Sequence, residues 1–148
     1  MSFLIPRDLQ KSKLVEKIQA HFPDLHGRTI AVWGLAFKPR TDDMREAPAI
    51  TIIERLLEAG ATVRAYDPEA THSARRIFGH RITFCDKSYD ALQGADALAV
   101  VTEWNEFREP DFQKMRQLLK HPVVFDGRNI YSPEHMRALG FTYLSIGR

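Results

Sequence analysis

Apolar residues recur at two different periods along the chain, and the switches between those periods divide it into alternating helices and strands. From Asp8 to Phe22 the positions Leu14, Val15, Ile18 and Phe22 return at helical spacing among charged residues, which predicts an amphipathic helix ended by Pro23. Thr29-Ile30-Ala31-Val32-Trp33 is a short apolar run with β-branched residues, set between His26-Gly27 and Gly34, and reads as a buried strand. Ala47 to Ala59 carries Ile50, Ile53, Leu56 and Leu57 on one side, accepts Pro48 in its first turn and stops at Gly60, so it predicts a second helix.

The alternation continues. A strand is expected over Thr62 to Tyr66, a helix from about Glu69 to Phe78, a short strand over Ile82 to Phe84 and a short helix over Tyr89 to Gln93. Then come a strand over Ala97 to Val101, a helix over Asp111 to Leu119, a strand over Val123 to Phe125, a helix over Pro133 to Leu139 and a last strand over Thr142 to Leu144. Strands that alternate with helices in this way specify an α/β fold of Rossmann-like, doubly wound type, with a mainly parallel sheet of about six strands and helices on both faces. No internal repeat, low-complexity stretch or flexible linker interrupts it.

Composition narrows the reading. The 148 residues suffice for one domain with a sizeable core and are too few for two dinucleotide-binding domains side by side. Hydrophobic residues at 44% and charged residues at 27% are ordinary for a globular chain. Twenty-one Lys and Arg against nineteen Asp and Glu leave a formal net charge of +2, so no broad field argues for nucleic acid or for an acidic membrane, and any anion must be met locally. No run approaches the length of a membrane helix, MSFLIPRDLQK lacks the order of a signal peptide, and Cys85 stands alone, so a soluble, cytoplasmic protein is expected.

In an open parallel sheet ligands bind beyond the carboxyl ends of the strands, which directs attention to three loops. The first, Gly34 to Pro48, has a single glycine where a dinucleotide-binding GxGxxG fingerprint needs three, so it is expected to work through side chains. Pro39 biases Lys38 toward extended backbone, and Lys38 and Arg45 lie just ahead of a helix start, where the helix dipole disfavours cations. A bound diphosphate would offset that cost. Alternatively, Asp42, Asp43 and Glu46 neutralise both cations and cap the helix.

The second loop, Asp126-Gly127-Arg128-Asn129, uses Gly127 for a tight turn and presents Arg128. Its guanidinium suits a phosphate, a ribose or the face of a base, or else a neighbouring carboxylate. The third, Thr102 to Phe107, carries Trp104 and Phe107, which either cover the ligand crevice or make plain core or inter-domain contacts. Asp67 is read as a turn residue before Pro68 and left out of the site, and Cys85 as a buried, inert thiol. The histidines show no metal-binding spacing.

The block GLAFKPRTDDMREAP, then AYDP, AVVTEWNEF and DGRNIY in that order, resembles the C-terminal domain of the UDP-glucose/GDP-mannose dehydrogenase family over nearly the whole chain. The resemblance implies that Lys38, with Phe37 beside it, contacts a UDP-sugar, that Arg128 holds the UDP portion, and that Arg45 reaches NAD across a domain interface. It implies a UDP-sugar-binding domain, residues 25–148, behind a helical lead-in, residues 1–24, that ends an inter-domain segment. Such enzymes oxidise UDP-glucose to UDP-glucuronate in polysaccharide biosynthesis, with a catalytic cysteine and an NAD fingerprint that belong to the N-terminal and central parts. The isolated chain is therefore expected to be inactive, to partner the N-terminal domain, and to join a homo-oligomer in the full-length protein, with no nucleic acid or membrane partner. A non-catalytic nucleotide-sugar module, the equivalent domain of a GDP-mannose or UDP-N-acetylhexosamine dehydrogenase, and a Rossmann-like domain with an unrelated partner stand as alternatives.

Overall fold

The structure, a computed structural model, describes residues 7–36, 44 and 47–146, with the side chains of 7–11 left aside. Helix α1 (Arg7–His21) is followed by β1 (Thr29–Trp33), α2 (Pro48–Glu58), β2 (Thr62–Tyr66) and α3 (Thr71–Phe78). The chain continues through β3 (Thr83–Phe84), α4 (Ser88–Leu92), β4 (Ala97–Val100), α5 (Phe112–Leu118), β5 (Val123–Asp126), α6 (Pro133–Ala138) and β6 (Thr142–Ser145). The six strands form one sheet in the order β3-β2-β1-β4-β5-β6, and every pairing is parallel. That is the doubly wound arrangement expected from the alternation, with its reversal of strand order between β1 and β4.

Residue alternation along the strands sorts the core into two layers. Ile30 and Val32 of β1 face a cluster that includes Leu14, Val15 and Ile18 of α1, Ile52, Ile53 and Leu56 of α2, and Phe78 of α3. Ala31 and Trp33 face the opposite cluster, built on Leu92 of α4, Met115 of α5 and Met136 of α6. Both faces of the central strands β1, β4 and β5 are dry, which is why these strands read as continuous apolar runs, whereas β2 and β6 alternate. Each large side chain so buried contributes roughly 1.5–3 kcal/mol relative to exposure.

Local chemistry fixes the helix starts. The carboxylate of Asp111 accepts the Lys114 N–H at 3.1 Å ahead of α5, and the Ser132 hydroxyl accepts the His135 N–H at 3.3 Å ahead of α6, where Pro133 opens the first turn. Before α3 the carboxylate of Asp67 takes the N–H groups of Glu69 and Ala70 at 2.8 and 2.7 Å. Residues 68–70 are thereby held as a turn, and the helix begins at Thr71 rather than near Glu69. No helix of the described residues is long and apolar enough to cross a membrane.

Candidate functional site

Strand register brings Tyr66, Trp33, Val100, Asp126 and Ser145 into one row across the carboxyl end of the sheet. The loops beyond this row meet where the strand order reverses, between β1 and β4, the place at which such a sheet opens a crevice. Two buried carboxylates organise the loops.

Asp67, 3% exposed, is the first. Besides closing its own turn, it accepts the N–H groups of Leu35 and Ala36 at 2.7 and 3.1 Å and the indole N–H of Trp104 at 3.1 Å. One side chain thus ties together the loops after β1, β2 and β4. From the other side the Thr102 hydroxyl donates to the Ala36 carbonyl at 2.8 Å. The loop that leads on to Phe37 and Lys38 is therefore held rigidly up to Ala36. The turn role read for Asp67 is correct, and its loop-anchoring role is an addition that only the tertiary structure reveals.

Asp126 is the second, fully buried at the end of β5. It accepts the Arg128 N–H at 2.9 Å, the Ile130 N–H at 2.8 Å, the Tyr131 N–H at 3.1 Å and the Tyr143 hydroxyl at 2.6 Å. These bonds wrap residues 127–131 around the carboxylate. The conformational load expected of Gly127 falls instead on Asn129, whose φ is 57°. Gly127 suits a close approach: a Cβ there would lie 3.0 Å from the Val100 carbonyl oxygen and 3.1 Å from Leu14 Cδ2 of α1, tighter than ordinary contact.

Arg128 is about one-third exposed, and its Nη2 lies 2.7 Å from Glu103 Oε1 on the loop after β4. Of the partners left open for it, the neighbouring carboxylate is the one seen. The other Glu103 oxygen faces Arg108 Nη2 at 4.0 Å. Two guanidinium groups therefore flank one carboxylate, and the trio retains a formal net positive charge at the carboxyl end of the sheet.

Trp104 and Phe107 belong to the core. Phe107 is fully buried and stacks on Trp33 with centroids 4.8 Å apart, and Trp104 is 8% exposed. The Tyr131 hydroxyl donates to the Phe107 carbonyl, which joins the β4 and β5 loops. Burial, with the Asp126 carboxylate adding to it, pushes the Tyr131 phenol well above its ordinary value. Burial and then a hydrogen bond to Glu106 push Tyr66 up to about 12. Cys85 is buried at 8% exposure, and desolvation raises its thiol pKa, as befits an unreactive side chain.

Phe37, Lys38 and Arg45 lie outside the described residues, as do Asp42, Asp43 and Glu46, so of the expected ligand-binding side chains the structure places Arg128 alone. Sequence reasoning missed Glu103 and the anchoring work of Asp67 and Asp126. A signal existed for the two aspartates: each stands at the last residue of a strand or just after it, immediately before Pro or Gly, the position from which a carboxylate caps the following turn. Among the described residues no cluster of His, Cys, Asp and Glu is arranged to hold a metal.

Asp67 does not take the ribose-facing place of a dinucleotide site. An acidic residue at the end of β2 would have to face a ribose, and Asp67 is instead occupied by five N–H donors of the protein.

Residues 31–133 match the UDP-glucose/GDP-mannose dehydrogenase family, UDP binding domain. The chain is 48% identical over 145 residues to UDP-glucose 6-dehydrogenase of Pseudomonas aeruginosa, covering 94% of this chain and 32% of that protein. It is 45% identical over 139 residues to UDP-glucose 6-dehydrogenase TuaD of Bacillus subtilis, covering 94% and 30%. Among solved structures, a UDP-glucose dehydrogenase from Pyrobaculum islandicum superimposes with a TM-score of 0.76 at 28% identity, over 93% of this chain and 29% of that one. The chain thus spans about a third of the length of the curated relatives it matches.

Proposed function

The chain belongs to the UDP-glucose/GDP-mannose dehydrogenase family as its UDP binding domain, and from that premise we propose that it serves the nucleotide-sugar side of an NAD-dependent UDP-glucose 6-dehydrogenase. The reaction is the oxidation of UDP-glucose to UDP-glucuronate in the cytoplasm, carried out with the remainder of the enzyme, within a homo-oligomer. Arg128 and Lys38 grip the UDP-sugar with Phe37 beside them. Arg45 reaches toward NAD held by the N-terminal domain, in keeping with an Asp67 whose carboxylate is taken up by N–H groups of the protein itself.

The observation that carries the reading is the setting of Arg128. Its backbone is fixed by a fully buried carboxylate, while its guanidinium stays partly exposed at the carboxyl end of β5, across from the reversal in strand order. A rigid base and a reachable planar cation are what oriented recognition of an anionic nucleotide requires. The chain's small overall charge leaves this work to local side chains.

Calorimetric titration with UDP and UDP-glucose tests the proposal. Lys38→Ala and Arg128→Ala should each weaken binding by roughly tenfold or more, the loss of a charge-assisted contact. Arg45→Ala should leave UDP affinity unchanged. Unaltered affinity in both the Lys38 and Arg128 variants would refute the assignment.

A further inference from the structure

We propose that Glu103 is an exchangeable counter-ion for Arg128: its carboxylate holds the guanidinium until the nucleotide's diphosphate takes its place, and Glu103 then passes to Arg108. The inference rests on the reading of Arg128 as a UDP-binding residue and adds a residue that tunes affinity and anion selectivity.

Three observations support it. Glu103 Oε1 lies 2.7 Å from Arg128 Nη2, so the acid occupies a hydrogen-bonding edge that a phosphate would use. Its other oxygen already faces a second guanidinium, Arg108, at 4.0 Å, close enough for a side-chain rotation to complete that pair. The chain is held on either side: the Thr102 N–H donates to the Trp33 carbonyl at 3.4 Å and its hydroxyl to the Ala36 carbonyl, and the Arg128 N–H donates to Asp126. Exchange therefore requires side-chain motion and no loop movement.

Energetics favour the exchange. Glu103 and Arg128 are each about one-third exposed, and ion pairs of that kind are worth little, whereas a guanidinium bound to a diphosphate gains charge-assisted hydrogen bonds. The diphosphate also carries more negative charge than a carboxylate and would repel Glu103 if it stayed. Arg108, about half exposed, offers the displaced acid a partner. Before binding, the pair screens Arg128 from weaker anions, a form of discrimination by competition.

The test is a set of UDP titrations on the 148-residue chain with Glu103→Gln, Glu103→Asp, Arg108→Ala, Arg128→Ala and the Glu103→Gln/Arg108→Ala double variant. Removing the competitor should tighten UDP binding by about two- to fivefold in Glu103→Gln, with Glu103→Asp intermediate. Arg108→Ala should weaken binding when Glu103 is present and have a smaller effect when it is Gln, a non-additivity that a merely structural arginine would not produce. If Arg128→Ala weakens binding while Glu103→Gln leaves it unchanged or weaker, the counter-ion role is wrong and the UDP assignment stands. Equal effects of Arg108→Ala in both backgrounds would remove Arg108 from the exchange. If UDP does not bind, or Arg128→Ala has no effect, both proposals fall.

Discussion

Gly34 and Thr102 approach so closely that a Cβ on the glycine would lie 2.4 Å from Thr102 Cβ and 2.5 Å from its backbone nitrogen. The glycine also sits at φ 99°, a region that L side chains rarely adopt. This contact locks the loop after β1 against the loop after β4, and the Thr102–Ala36 hydrogen bond continues the same seam. Gly34→Ala is accordingly expected to cost at least ~2 kcal/mol from strain and overlap, lowering the thermal midpoint by roughly 5 °C or more. A thermal melt followed by circular dichroism reads it, and an unchanged midpoint would show that the two loops are not locked together.

Asp126 gives the loop of Arg128 its shape, and its removal should be felt both in stability and in binding. Asp126→Asn keeps one acceptor oxygen and turns an NH2 toward groups that already donate, leaving buried donors of Arg128, Ile130, Tyr131 or Tyr143 unsatisfied. The expected loss is at least ~3 kcal/mol in urea denaturation, with weakened UDP binding at temperatures where the variant is still folded. Tyr143→Phe, which removes a single donor, should cost only about 1 kcal/mol. Comparable effects of the two variants would contradict the central place given to the carboxylate.

How much of this was legible in the sequence depends on the range of the interactions concerned. Strands β1 and β2 occupy the residues read for them: β1, buried along nearly its whole length, declares itself by an unbroken apolar run, and β2 by the alternation of buried Val63 and Ala65 with Thr62, Arg64 and Tyr66. Strand β5 runs one residue further than its apolar core, since Asp126 pairs with Val100 and Ser145 while its side chain is consumed by the following loop. A charged residue inside a strand looks like a terminator when its partners are out of sight. The pairing of Arg128 with Glu103, 25 positions away, has no periodicity to betray it, and the residue reading left it as one of several options. The burial of Trp104 is set by Asp67, and that of Phe107 by Trp33, both placed by the sheet's strand order.

At alkaline pH the fold should weaken. Tyr66 is raised from 10.0 to about 12, and Tyr131 is raised as well, so both phenols hold their protons more tightly when folded than when unfolded. Their stabilising contribution is complete below about pH 10 and is lost as pH rises through the folded values. Denaturation midpoints should therefore fall across that window, and Tyr66→Phe should reduce the slope. A flat profile between about pH 10 and about pH 12 would rule out the burial assigned to these phenols.

Cys85 should behave as a core thiol. Its burial and raised pKa predict slow reaction with a thiol reagent in the native protein and rapid reaction once denatured. Cys85→Ser should leave UDP affinity unchanged. The purified chain mixed with UDP-glucose and NAD should produce no NADH; sustained NADH formation abolished by Cys85→Ser would place the catalytic thiol here after all.

The most direct measurement is a map of backbone amide shifts as UDP is titrated into the isotopically labelled chain. Saturable shifts are expected at Gly34 to Ala36, at Thr102 and Glu103, and at Gly127 to Ile130, the loops gathered at the carboxyl end of β1, β4 and β5. Shifts confined to the opposite end of the sheet, around Arg28, Asp96 and His121, or no saturable change at all, would contradict the account.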